Sequence, residues 1–163
     1  MNSTPSQFRE GFFVLLQKER AMRVYRPNFE KRGGLVHVIG QCFYTRRILM
    51  DTHTDEAGYL ETLRTGKAVY FSTSRNKRWM KGEEKSGDFQ IVHQILIDCD
   101  GDALIYMVEQ IGSGACHTGA PTCFYRTVAE NDPLFSAPNA GKNDDLKVIE
   151  IEAHPRFLKM HVF

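Results

Sequence analysis

The sequence predicts one β-rich α+β domain, and three observations carry that prediction. Along "DFQIVHQILID", Phe89, Ile91, His93, Ile95 and Ile97 alternate with Gln90, Val92, Gln94 and Leu96. That is the period of a strand, here with a partly apolar second face. Asp100–Gly101 then separates this run from the apolar "ALIYMVEQI", and an Asp-Gly pair between two such runs signals a β-hairpin. "TDEAGYLETLRTG" reads as a short helix, with Thr54 as cap, acids in its first turn and Gly66 as its stop. The length of 163 residues suits a single domain with a core, and 42% hydrophobic with 25% charged residues is ordinary for a soluble globular chain.

The remaining elements follow in order. From about Ser6 to Met22, Phe8, Phe12, Phe13, Leu15 and Leu16 among charges predict a helix with one apolar face. Pro27 and "KRGG" at Lys31–Gly34 mark a boundary. "LVHVIGQCFY" and "RRILMD" are two short strands rich in β-branched residues, and "KAVYFSTS" returns to strand after the helix. Beyond Arg126, "AENDPLFSAPNAGKNDD" reads as a surface loop and "LKVIEIEA" as a late strand.

Charge and hydropathy narrow the function classes. A net charge of +1 provides no global field for nucleic acid or an anionic membrane, although "TSRNKRWMK" concentrates four cations in nine residues. No apolar run approaches the roughly 20 residues of a membrane span. "MNSTPSQFREGFF" lacks the basic start and long apolar stretch of a signal peptide, so a cytoplasmic location is expected. Thiols stay reduced there, and clustered cysteines serve more often as ligands or catalysts than as disulfides.

Three of the four cysteines, Cys99, Cys116 and Cys123, fall within "DCDGDALIYMVEQIGSGACHTGAPTC". Thiolates suit zinc, and three of them leave a fourth position open for water, which zinc ionises near pH ~7. No C-x-x-C pair is present, so the spacing is not that of a zinc finger. Asp98, Asp100 and Asp102 offer hard oxygens suited to Mg²⁺, and strand alternation would set all three on one face with Cys99 on the other. Taken singly, each cysteine also fits a small buried hydrophobe, the aspartates fit a plain turn, and His117 fits a packing residue. Their concentration in one glycine-punctuated segment is what points to metal. Cys42, isolated in "GQCFY", reads as a core residue.

"AVYFSTSRNKRWMKGE", "SGDFQ", "DCDGDALIYMVEQ" and "ACHTGAPTCFY" together resemble phosphoribosyl-AMP cyclohydrolase, an enzyme of histidine biosynthesis. The resemblance runs from about Asn28 to Tyr125. It implies a domain over 28–126, with an N-terminal extension over 1–27 and a C-terminal extension over 127–163 too short for the pyrophosphohydrolase domain sometimes fused to this enzyme. It further implies a compact, β-rich fold in an intertwined homodimer. Zinc would be shared between Cys99 of one subunit and Cys116 and Cys123 of the other, and Mg²⁺ held at Asp98, Asp100 and Asp102.

The implied reaction is hydrolysis of 1-(5-phosphoribosyl)-AMP at the purine N1–C6 bond. Zinc hydroxide would attack C6, and His117 would handle the proton. Two substrate phosphates call for cations: Arg75 and Lys81 match the motif, Lys77 and Arg78 less so. Trp79 is placed to stack or pack, Glu83 to position a hydroxyl or cation, and Ser72, Ser74 and Ser86 to donate to phosphate. Two departures from the family pattern stand out. "DTHT" at Asp51–Thr54 replaces the usual Ala-Tyr-Met-Asn, and Asp88 follows Ser86–Gly87 where His or Asn is usual, a repulsive charge beside a phosphate unless paired. The alternatives are a paralogue acting on or sensing another purine nucleotide, a non-catalytic zinc-stabilised nucleotide-binding module, and a nucleic-acid-binding zinc module using Arg75–Lys81.

Overall fold

The computed structural model describes residues 23–83 and 86–126. The helix expected near Ser6–Met22 and the loop and strand expected beyond Arg126 lie outside the described residues. After a 3₁₀ turn (Phe29–Arg32) come β1 (Leu35–Cys42), β2 (Ile48–Asp55), α1 (Glu56–Thr65), β3 (Val69–Ser72), β4 (Lys77–Met80), β5 (Gln90–Ile97) and β6 (Ala103–Gln110). All six strands form one sheet in the order β4-β3-β2-β1-β6-β5. β1 and β6 pair in parallel, Val38 opposite Leu104 and Tyr106 opposite Gly40, and every other pairing is antiparallel. Among the described residues, the expected β-rich arrangement with one short α-helix is what the chain forms.

Alternation along β1 buries Val36 and Val38, which meet Leu104, Tyr106 and Val108 of β6, Leu49 and Met50 of β2, and Tyr70 of β3. Tyr59 and Thr62 of α1 are buried as well, and Tyr59 belongs to the core cluster with Phe29. Burying a side chain of this kind contributes about 1.5–3 kcal/mol each. A polar thread crosses the core: the Tyr70 hydroxyl donates to Gln90 Oε1 at 2.6 Å, and Gln90 Nε2 donates to Gln110 Oε1 at 2.8 Å.

Four local expectations are corrected. Thr54 is not the helix cap; β2 runs on through Thr54, whose hydroxyl donates to the Val69 carbonyl, and Asp55 Oδ1 accepts from the Gly58 amide at 2.8 Å as cap. Gly66 does end α1, in the left-handed conformation. The alternation of β5 breaks at a bulge between Val92 and Gln94, so Val92 and Ile95 both pack on the core where strict alternation would oppose them. The basic segment hides a strand: β3 and β4 form a hairpin, Ser72 opposite Lys77, closed by Asn76 at φ 48°. Finally, Cys42 is only half-buried, at the core's margin, and its sulfur accepts from the Thr45 amide.

Candidate active site

The two ends of β6 carry the candidate donors. At its C-terminal end the chain leaves the sheet and folds back towards the start of β2, where the Cys123 amide donates to Leu49 O at 2.7 Å and Thr122 Oγ1 to Ile48 O at 2.7 Å. Within this loop the Cys116 amide donates to Ala120 O at 3.1 Å and the Gly119 amide to Cys116 O at 3.0 Å, a tight turn that holds Cys116 and His117 at its head. Cys116, Ala120 and Tyr125 form a small apolar cluster of their own.

The loop walls a cleft of about 620 Å³. Cys116, His117 and Cys123 line it together with Arg75, Trp79, Lys81, Glu83 and Ser86, so eight residues expected at a site from sequence border one space. Cys116 is buried and Cys123 is exposed at the cleft, and desolvation, followed by the neighbouring Cys116, pushes the Cys123 thiol up to about 12. Two adjacent thiols hinder each other's ionisation, and a cation between them removes that cost. His117 is exposed to the cleft with Nδ1 3.9 Å from the Cys116 sulfur. Lys81, almost fully buried, exerts its charge on Cys123. Trp79 packs on Tyr70, ring centroids 5.4 Å apart.

Ser72 and Ser74 line a second cavity of about 310 Å³, which shares Met50, Arg75 and Trp79 with the first. The Ser72 hydroxyl accepts from Arg75 N and Nε, both at 3.3 Å, and lies 3.3 Å from the Ser74 hydroxyl. Asp51 and His53 of the unusual "DTHT" line this cavity too. Asp51 pairs with His37, and the His37 and His53 rings lie 5.4 Å apart. Partial burial, then His37, hold the His53 imidazole below its ordinary value. Of the weaker candidates, Arg78 is engaged with Asp55 through two bonds of 2.9 and 2.7 Å, and Lys77 is exposed on β4.

The other end of β6 holds the carboxylates. Oxygens of Asp98, Asp100 and Asp102 lie within 4.8 Å of one another. The turn, not strand alternation, brings them together, because residues 98–102 lie outside β5 and β6. Lys31 bonds Asp100 and also lies 2.8 Å from Asp102, and Arg32 Nε donates to Asp102 at 2.9 Å. Lys31 holds the Asp100 carboxyl below the ordinary value, and Lys31 followed by Arg32 does the same to Asp102. Cys99 is exposed in this turn. Roughly 25 Å of strand separates its end of β6 from the Cys116 loop, and among the described residues Cys99 joins no cluster with the other two thiols.

Comparison with known proteins adds the family. The profile described as phosphoribosyl-AMP cyclohydrolase matches residues 50–125. A phosphoribosyl-AMP cyclohydrolase of Syntrophotalea carbinolica is 48% identical over 114 residues, covering 66% of this chain and 90% of that protein. The chain belongs to the phosphoribosyl-AMP cyclohydrolase family. Other proteins of that name are as similar: one from Methanoregula boonei is 56% identical over 96 residues, 59% of this chain and 76% of its own, and one from Desulfotalea psychrophila is 44% identical over 115 residues, 66% and 90%. The chain is thus a member of an enzyme family, and every residue lining its cleft lies within the matched region.

Sequence reasoning missed or misread three cleft residues. Met50 borders both cavities and has no motif of its own. Ser113 sits in the cleft wall, and Asp88, expected beside a phosphate, spends its carboxylate on Ser113 instead. The Ser-Gly-Asp departure marked Asp88 as unusual, but nothing in the sequence named its partner.

Proposed function

We propose that this chain hydrolyses 1-(5-phosphoribosyl)-AMP at the purine N1–C6 bond, the third step of histidine biosynthesis, giving the formimino-carboxamide ribotide. The observation that carries this reading is one cleft gathering paired thiols, an exposed imidazole, a buried lysine and an arginine in a member of this family. In the reaction water adds to C6, the C6–N1 bond breaks with its electron pair leaving on N1, and a proton reaches that nitrogen.

Cys116 and Cys123 fit a soft divalent cation, being adjacent thiols within a walled cleft. Zinc bound there supplies a Lewis acid that makes water nucleophilic at neutral pH. His117, on the cleft surface beside Cys116, takes the proton from the attacking water and returns it to N1. Lys81 and Arg75 bind the phosphates, with Ser72 and Ser74 donating from the adjoining cavity and Ser86 from the main cleft. Trp79 flanks the base, and Glu83, whose carboxylate accepts from the Met80 amide, holds the hairpin end towards the substrate.

Cys99 is the third thiol, supplied by a second copy of the chain, because its own position at the opposite end of β6 keeps it from the cleft. Asp98, Asp100 and Asp102 fit Mg²⁺ by donor type and convergence, with Lys31 giving way to the ion. The working unit is therefore a homodimer acting in the cytoplasm. Purified, zinc-quantified protein is to be incubated with phosphoribosyl-AMP and Mg²⁺ and ring opening followed by ultraviolet absorbance. Chelator-sensitive turnover supports the reading, and bound zinc without turnover refutes it. A second reading, ring opening of another purine nucleotide, is favoured by Asp51 and His53 in the adjoining cavity; turnover confined to that nucleotide would establish it.

A further inference from the structure

We infer that Asp88, in the cleft wall, is a positioning residue that clamps the loop carrying Cys116 and His117 and acts through that loop. The inference rests on the proposed function for its catalytic consequence and on geometry alone for the clamp. Asp88 Oδ1 accepts two hydrogen bonds from one residue, Ser113 N at 2.7 Å and Ser113 Oγ at 3.0 Å. Ser113 stands three residues before Cys116, where the chain has just left β6. Two donors on a single carboxylate oxygen fix both the backbone and the side chain of that residue, and bonds to a charged acceptor are the stronger kind.

The clamp is held from behind. The Asp88 amide donates to Ser86 Oγ at 3.2 Å, and its carbonyl accepts from Gln110 Nε2 at 3.3 Å. Gln110 in turn accepts from Gln90, the buried end of the thread to Tyr70, so the clamp is anchored in the core. The Ile111 amide donates to Phe89 O at 2.8 Å, which sets the two segments side by side. Gly112 completes the fit: its φ is 86°, and a Cβ there would lie 2.2 Å from Asp88 Oδ1. Glycine at 112 and aspartate at 88 are thus matched to each other.

The loop from Gly112 to Cys123 has two fastenings, Asp88 at its start and the bonds to Ile48 and Leu49 at its end. Releasing the first leaves Cys116 and His117 held from one side only. Charge strengthens these bonds, but their geometry needs only an acceptor at Oδ1, so asparagine, whose Oδ1 accepts the same bonds, preserves the clamp.

The test compares Asp88→Ala and Asp88→Asn with the wild type, with Mg²⁺ and zinc present throughout. Amide exchange of Ser113, followed by NMR, is expected to speed up about ten-fold or more in Asp88→Ala and to stay near wild type in Asp88→Asn. With phosphoribosyl-AMP, kcat in Asp88→Ala is expected to fall about 10–100-fold at unchanged KM, with most of it restored in Asp88→Asn. Unchanged Ser113 exchange in Asp88→Ala overturns the clamp. Equal kcat losses in both variants also overturn it, since the charge would then act directly on substrate or metal. A lowered thermal midpoint with kcat unaltered reduces Asp88 to a structural residue and likewise overturns the inference. If the wild type itself fails to turn over this substrate, the functional reading falls, and Ser113 exchange alone decides the clamp.

Discussion

The two ends of β6 present anionic donor groups in opposite ways. At the N-terminal end, Asp98, Asp100 and Asp102 lie in a turn where the chain supplies its own counter-ions, Lys31 and Arg32 from the 3₁₀ turn. At the C-terminal end, Cys116 and Cys123 line one cleft, and the Cys123 thiol is pushed up rather than down. Carboxylates need charge compensation whenever they gather, and at neutral pH a lysine provides it. The acid end therefore carries its own counter-ions, and among the described residues only there do three donor side chains converge.

Breaking the thiol end should have the largest effect. Cys116→Ser is expected to abolish zinc binding and turnover together, measured by metal analysis alongside the absorbance assay; full activity without zinc would contradict it. His117→Ala should keep the zinc and lose about 10²–10⁴-fold in kcat, which separates proton transfer from metal binding at this end.

Changes at the acid end are smaller. Asp100→Asn is expected to raise the Mg²⁺ concentration needed for half-maximal activity while zinc content stays the same, and loss of zinc would show that the two ends do not serve separate ions. Lys31→Met removes the internal competitor, so Mg²⁺ affinity measured by calorimetry should rise about two- to five-fold, the scale of an exposed ion pair.

The smallest effect concerns Asp55, away from both ends. Arg78 beside it holds its carboxyl below the ordinary value of 3.8. Its folded-state value therefore lies under the unfolded one. The stability it contributes is complete above about pH 4 and is lost as the pH falls through the folded-state value. Asp55→Asn should lower the thermal midpoint at pH 7 and lose less than the wild type between pH 5 and pH 3, by calorimetry.

Local signals in the sequence were reliable where one residue type does the work. Gly66 stops α1 and Asp100–Gly101 turns the β5–β6 hairpin because both positions need a backbone that glycine accepts readily. β4 escaped notice because Lys77 and Arg78 make half of a four-residue strand, and only Asn76, in a left-handed turn, hinted at a hairpin. The β5 bulge carries no composition signal, being set by how Val92 and Ile95 meet the core. The motif cysteines and His117 were legible as a group, and the structure brings two of the three thiols to one cleft. Asp88 was legible only as an oddity, because its partner lies 25 residues away and depends on how β6 ends.

The claim that the site needs both ends of β6, from two copies of the chain, can be tested most directly by complementation. Cys99→Ser and Cys116→Ser proteins are to be assayed with phosphoribosyl-AMP separately and after joint refolding. Each alone is expected to be inactive. The mixture should regain about a quarter of wild-type turnover, since half of the dimers are mixed and each has one intact site of two. A Cys99→Ser protein that is fully active alone, or a refolded mixture that stays inactive, would contradict the account.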